Sequence, residues 1–94
     1  MTYVLVRFTV EDLDKWKSVF EEAASLRKSF GSTGVRAFSK SGNPNEVVIL
    51  GNYSDKEKAM QMFQSQEFRE RTQSAGVKGP PEVTFLEEVL NLPA

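Results

Sequence analysis

The sequence predicts a single α+β domain in the order strand, helix, strand, strand, helix, strand. Three observations carry that prediction. The runs Tyr3-Val4-Leu5-Val6-Arg7-Phe8-Thr9-Val10 and Val47-Val48-Ile49-Leu50-Gly51-Asn52-Tyr53 are nearly continuously apolar, as strands covered on both faces are; a half-exposed strand alternates instead. Two stretches, roughly 12–30 and 54–75, repeat apolar residues at spacings of three and four, the helical period. Glycine, proline and asparagine clusters separate these segments.

The elements follow in order. The first strand spans about Tyr3 to Thr9. Asp12 is placed to cap the first helix, with Asp14 in its positive first turn. That helix carries Leu13, Trp16, Phe20, Ala23, Ala24 and Arg27 on one stripe, and Gly31 and Gly34 stop it. Val35 to Ser41 alternates and reads as a strand with one wetter face; Gly42-Asn43-Pro44-Asn45 turns it back into a third strand, Glu46 to Tyr53. Ser54-Asp55-Lys56-Glu57 has the capping-box spacing and opens a second helix bearing Ala59, Met60 and Phe63, with a break near Ser65 and an end at Gly76. Lys78-Gly79-Pro80-Pro81 reads as a stiff connection, because proline cannot donate to a ladder. Val83 to Leu90 is the predicted last strand, and Asn91 to Ala94 a tail.

This order is that of the ferredoxin-like split βαβ unit, whose four antiparallel strands lie in the order 4-1-3-2 with both helices on one face. It makes strands 1 and 3 central, and those are the two most apolar runs. Strand 2, the most polar, becomes an edge, as an edge should be.

Composition removes several functions. The 94 residues make one domain, 1–94, with 39% hydrophobic and 27% charged residues, ordinary for a globular protein. There is no cysteine, so disulfide and thiolate chemistry are excluded and a reducing, cytoplasmic setting is expected. There is no histidine, which removes the commonest general base and transition-metal ligand; no metal site is expected. No apolar run approaches the ~20 residues of a membrane span, and Met-Thr-Tyr-Val reads as a strand start rather than a secretory leader. A formal net charge of -1 offers no long-range attraction to a phosphate polymer. Strand 3, ending Val-Val-Ile-Leu-Gly-Asn-Tyr, also lacks the basic residue and the two or three aromatics with which a sheet of this kind stacks RNA bases, so no nucleic-acid partner is expected.

The helices cover one sheet face, and the second face of strands 1, 3 and 4 is left apolar. Each such residue is worth about 1.5–3 kcal/mol when buried, and a large bare apolar sheet invites aggregation. A second copy of the chain is the expected cover, since two-fold dimers are the commonest closed assembly. The expectation is a homodimer through the sheet face, the two sheets forming a barrel-like core.

The chain resembles the dimeric α/β-barrel superfamily and, within it, the antibiotic-biosynthesis-monooxygenase-like proteins. The resemblance extends over nearly the whole chain. It rests on size, element order, Asp14-Lys15-Trp16 early in the first helix, and strand 3 ending Gly51-Asn52-Tyr53-Ser54-Asp55 before Glu57-Lys58-Ala59. It implies a pocket between sheet and helices that takes a small, partly aromatic molecule. Some such proteins oxidise polyphenols with molecular oxygen and no metal or flavin; others degrade haem, isomerise or decarboxylate small molecules, or have no known activity. Haem degradation there relies on a histidine in the second helix, where this chain offers Phe63 and Phe68. The quinone-forming members use asparagine, tryptophan, tyrosine and arginine, residue types present here as Asn52, Trp16, Tyr53, Arg7 and Arg36. The resemblance assigns no catalytic role to any of them and implies no cofactor.

Asn52, Trp16, Tyr53, Arg7 and Phe63 are the candidate ligand-binding residues, each with a structural alternative. Asn52 either satisfies backbone groups or orients a ligand. Trp16 is a core residue or presents its indole donor to a pocket. Tyr53 is a boundary aromatic or a ligand contact. Arg7 interrupts a central strand, so it is ion-paired with Glu46, Glu87 or Glu88, or it anchors an anionic oxygen. Glu87 and Glu88 cannot serve one site together, because neighbours on a strand face opposite ways. Met60 and Met62 read as core filling.

Overall fold

The two strands expected to be central are central. β1 (Thr2–Val10) pairs antiparallel with β3 (Asn43–Tyr53) on one side and β4 (Val77–Leu86) on the other, and β2 (Ser32–Lys40) pairs with the outer side of β3. The order β2-β3-β1-β4 is the ferredoxin-like 4-1-3-2 order read from the other edge. The computed structural model describes residues 2–94. Its four strands form one open sheet, so the barrel expected from the sequence is not closed by a single chain.

Each predicted helix is divided in two. α1 (Leu13–Glu22) and α2 (Ala24–Ser29) meet at Ala23; α3 (Lys56–Gln64) and α4 (Gln66–Ser74) meet at Ser65, where the break was expected. Asp12 caps α1 as predicted, accepting from the Lys15 N–H at 3.2 Å. The cap of α3 is Asp55 rather than Ser54: its Oδ1 accepts from the Glu57 and Lys58 N–H groups at 2.8 and 3.2 Å. Ser54 instead turns its hydroxyl to the Gly31 carbonyl at 3.3 Å. Ser65 serves both halves of its helix pair, donating to the Met62 carbonyl at 2.7 Å and accepting from the Phe68 N–H at 3.1 Å. Gly31, at φ +89, follows α2 in the left-handed region, and a Cβ there would stand 2.9 Å from Ser54 Oγ.

Residues 79–81 are part of β4, not a connection. Arg7 pairs with Glu82 and Thr9 with Lys78, so Gly79, Pro80 and Pro81 together face Phe8 alone. This bulge, with Gly79 at φ +69, lets two prolines sit in a strand, and β4 is an edge, where missing donors are tolerated. β4 also stops at Leu86, short of the predicted Leu90. Leu86 already pairs with Tyr3, near the start of β1, so the chain beyond has no partner strand. Residues 87–94 run out irregularly with Val89, Leu90 and Leu92 exposed, and Glu88 accepts a hydrogen bond from the Tyr3 hydroxyl at 3.3 Å.

Burial alternates strictly along the central strands. Val4, Val6 and Val10 of β1, with Val47, Ile49 and Tyr53 of β3, are buried beneath the helices together with Trp16, Ala59, Met62 and Ala75. Met62, not Met60, supplies the methionine of this core; Met60 is exposed. The intervening residues Tyr3, Leu5, Arg7 and Thr9, and Glu46, Val48, Leu50 and Asn52, face the other way, where no element of the chain lies over them. Among the described residues no helix is long and apolar enough to cross a membrane.

Candidate functional site

Between the helices and the sheet lies a partly open cavity of about 80 Å³. A single water needs roughly 10–15 Å³ of such space, so it accommodates several waters or a small apolar group. Its lining comes from all four helices and all four strands. Trp16, Tyr53 and Phe63, three of the five candidate residues, line it.

The walls are aromatic. Trp16 stacks on Phe20, ring centroids 4.8 Å apart, and leans against Phe8 at 5.5 Å. Phe63 meets Tyr53, Phe68 and Phe85 edge to face, at 6.2, 5.0 and 6.3 Å. Gly51 makes room for the tyrosine: a Cβ at Gly51 would lie 3.1 Å from the Tyr53 ring. Tyr53 is therefore no boundary residue but is buried, 3% exposed, with its hydroxyl 4.0 Å from the Met62 sulfur, its one side-chain hydrogen-bond partner among the described residues. Trp16 makes no side-chain hydrogen bond among the described residues. None of their buried side-chain nitrogens or oxygens is left without a partner, so the indole N–H keeps contact with open space.

The polar group that dominates the cavity is one that the sequence placed only on the helix stripe, Arg27. Its guanidinium lies 3.9 Å above the Phe20 ring centroid, extending the Phe20–Trp16 stack into a third layer, and its Nη1 donates to the Phe20 carbonyl at 2.6 Å. That bond enters the helix ladder at the Ala23 kink, where a side-chain donor competing for a backbone carbonyl is expected to bend a helix. Burial pushes the Arg27 guanidinium below its usual range, an effect that Tyr53 opposes. Burial likewise raises the Tyr53 phenol above its ordinary 10.0, opposed by the Arg27 charge. At neutral pH the pair is thus a cation beside a neutral phenol. Arg71 and Thr72 also line the cavity, Arg71 exposed at its rim. No carboxylate does.

Arg7 and Asn52 are not in this site. They lie on the open face of the sheet, Arg7 opposite Val48 and Glu82, Asn52 opposite Tyr3. The ion pair expected for Arg7 is not formed among the described residues; Glu46 pairs with Lys40 at 3.4 Å instead. Arg36, on the same face, lies 5.2 Å from the Phe38 ring centroid.

The four-stranded ferredoxin-like sheet with its helices is the fold of solved structures of antibiotic biosynthesis monooxygenases, and the chain shares it. It superposes on a candidate antibiotic biosynthesis monooxygenase from Bordetella bronchiseptica with a TM-score of 0.81 and 18% identity, covering 95% of this chain and 97% of that one. It matches SnoaB, a cofactor-independent oxygenase from Streptomyces nogalater, with a TM-score of 0.80 and 18% identity over 99% of this chain and 97% of that one. A protein from Mycobacterium tuberculosis, Rv0793, matches with a TM-score of 0.66 and 14% identity over 99% of this chain and 98% of that one. No family model matches the sequence, and neither does any curated protein.

Proposed function

We propose that the chain is a homodimeric, cytoplasmic protein whose cavity binds a small, partly aromatic molecule and oxidises it with molecular oxygen, without a cofactor. The observation that carries the reading is the cavity itself: apolar, aromatic-walled, and furnished with one half-buried cation and one neutral phenol. The fold shared with SnoaB, a cofactor-independent oxygenase, supports the reaction class. The two-fold assembly is supported by the apolar residues left on the open face, Tyr3, Leu5, Val48 and Leu50, and the cytoplasmic setting by the absence of cysteine.

The chemistry asks little of the protein. A substrate that ionises to a stabilised carbanion supplies the electrons: its anionic carbon, which keeps one hydrogen, forms a bond to dioxygen, the resulting peroxide anion takes up a proton, and loss of water from the hydroperoxide, with that hydrogen, leaves a carbonyl. The cavity excludes bulk water and holds the ring between aromatic walls, and the Arg27 cation favours the substrate's ionised form. Trp16, Tyr53 and Phe63 would orient the ring. With no carboxylate or histidine in the lining, the proton leaves to water or through Tyr53.

That same lack of a base supports a second reading, a binding module without turnover. An oxygen electrode separates the two. Uptake of oxygen above the uncatalysed rate with an oxidisable polyphenol, lost in Trp16→Ala, is the expected result. Binding of phenols without any uptake selects the binding module, and neither binding nor uptake overturns both.

A further inference from the structure

We propose that Arg27 is the specificity determinant of the cavity, selecting aromatic ligands that carry an anionic oxygen. The inference rests on reading the cavity as a ligand site and goes on to say what the ligand must carry. Arg27 is a half-buried cation with no carboxylate within ion-pair distance among the described residues, whose ion pair is Lys40–Glu46 on the far side of the sheet. A guanidinium has five N–H donors. One is spent on the Phe20 carbonyl, and the Phe20 ring covers one face of the group, fixing its plane. The remaining donors are held in a rigid fork beside a cavity whose walls are mostly apolar. Arg27 is half-buried and its unbonded nitrogens keep contact with open space; among the described residues no anionic side chain lines the cavity to pair with them. A planar anion, carboxylate or phenolate, attached to a ring that enters the partly open cavity suits both the cation and the apolar walls.

Arg71 does not compete for this role. It is exposed at the rim, where water screens it. Arg27 is fixed by a stack and a backbone bond, so it loses little freedom on engaging a ligand, and its partial burial strengthens each bond it makes.

The test uses Trp16, the single tryptophan of the chain, as a reporter inside the cavity. Its fluorescence is followed while the protein is titrated with benzoate and with the neutral, isosteric benzamide; a second arm compares para-nitrophenolate with para-nitroanisole at mildly alkaline pH. The expected result is that the anion of at least one pair binds about ten- to a hundredfold tighter than its neutral partner. Which arm shows the preference distinguishes a carboxylate from a phenolate. In Arg27→Met, which keeps the stem over Phe20, the preference falls to near unity; Arg27→Lys retains part of it. Equal binding of anion and neutral partner in both arms of the wild type overturns the inference and leaves the cavity a ligand site. A preference that survives Arg27→Met overturns it as well. If no ligand perturbs Trp16, the ligand site itself is refuted, and the inference with it.

Discussion

Leu50→Ser tests whether the open face of the sheet is covered by a second copy. Leu50 stands in the centre of that face, in register with Leu5 of β1 on one side and Arg36 of β2 on the other, with Thr84 of β4 beyond Leu5. It points away from the helices, so its loss leaves the core cluster of Val4, Val47, Trp16 and Met62 untouched. Fully burying an exposed leucine is worth about 1.5–3 kcal/mol, but Leu50 is already partly buried in the single chain, so association covers at most about a third of it, worth about 0.5–1 kcal/mol. A two-fold interface contains the residue twice, so the variant removes about 1–2 kcal/mol per dimer. At about 1.4 kcal/mol per factor of ten, the dissociation constant rises roughly 5- to 30-fold. Sedimentation velocity over the micromolar range reads this directly, with far-UV circular dichroism to confirm an unchanged fold. The wild type should sediment as a dimer, and Leu50→Ser should dissociate at a correspondingly higher concentration. A wild-type monomer in this range refutes the interface, and a variant that dissociates no more readily than wild type places the contact elsewhere.

Asp55→Ala should lower stability by about 0.5–2 kcal/mol, because Asp55 caps α3 with two backbone bonds; Ser54→Ala should cost less than half as much, and equal urea midpoints for the two would reverse the assignment of the cap. Tyr53 gives a pH prediction: its pKa lies above 10.0 in the folded state, chiefly from burial, so its contribution is intact below pH 10.0 and is lost as pH rises through the raised value. Tyr53→Phe should therefore lose less stability than wild type between neutral and strongly alkaline pH; Tyr3, also raised but through Glu88, titrates in both proteins and cancels. Asn52→Ala should shift the dimer equilibrium while leaving benzoate binding within about twofold, since Asn52 faces away from the cavity; a larger loss of binding than of association would contradict that division.

Most of the fold was legible because the signals were strong and mutually consistent. The apolar runs of β1 and β3 and the polar β2 fix the strand order, and Asp12, Ser65 and Gly31 mark helix boundaries by chemistry that depends only on neighbours in sequence. The errors share a different cause: each needed to know what lay beside the element. Gly79-Pro80-Pro81 resembles a connection until β4 is known to be an edge with a bulge opposite Phe8. Residues 87–90 resemble a strand until β1 is seen to run out of partners. Met60 and Met62 are interchangeable on composition, and only the phase set by Asp55 as the cap decides between them.

The site was half legible, and the division is instructive. Asn52 and Tyr53 are adjacent in a strand and point to opposite faces, so they do not serve one cavity; the same argument does not carry over to Glu87 and Glu88, which lie beyond the end of β4. Applied to β1, the same parity groups Arg7 with Tyr3 and Leu5, away from Val4 and Val6. The polar interruptions of the two central strands therefore belong to the open face. The polarity of the cavity comes from the helix layer instead. Its signal was present in the spacing Trp16, Phe20, Ala23, Arg27, an arginine occupying the next position of an apolar stripe, where a long charged side chain either snorkels to water or is held inward for a purpose. The bond to the Phe20 carbonyl and the stack on the Phe20 ring hold it inward. The apolar residues of the two sheet faces thus sit in two separate settings, a partly open cavity on one side and a face that no helix covers on the other. Each carries its own polar residues, so the proposed association and the proposed ligand selection can be tested independently.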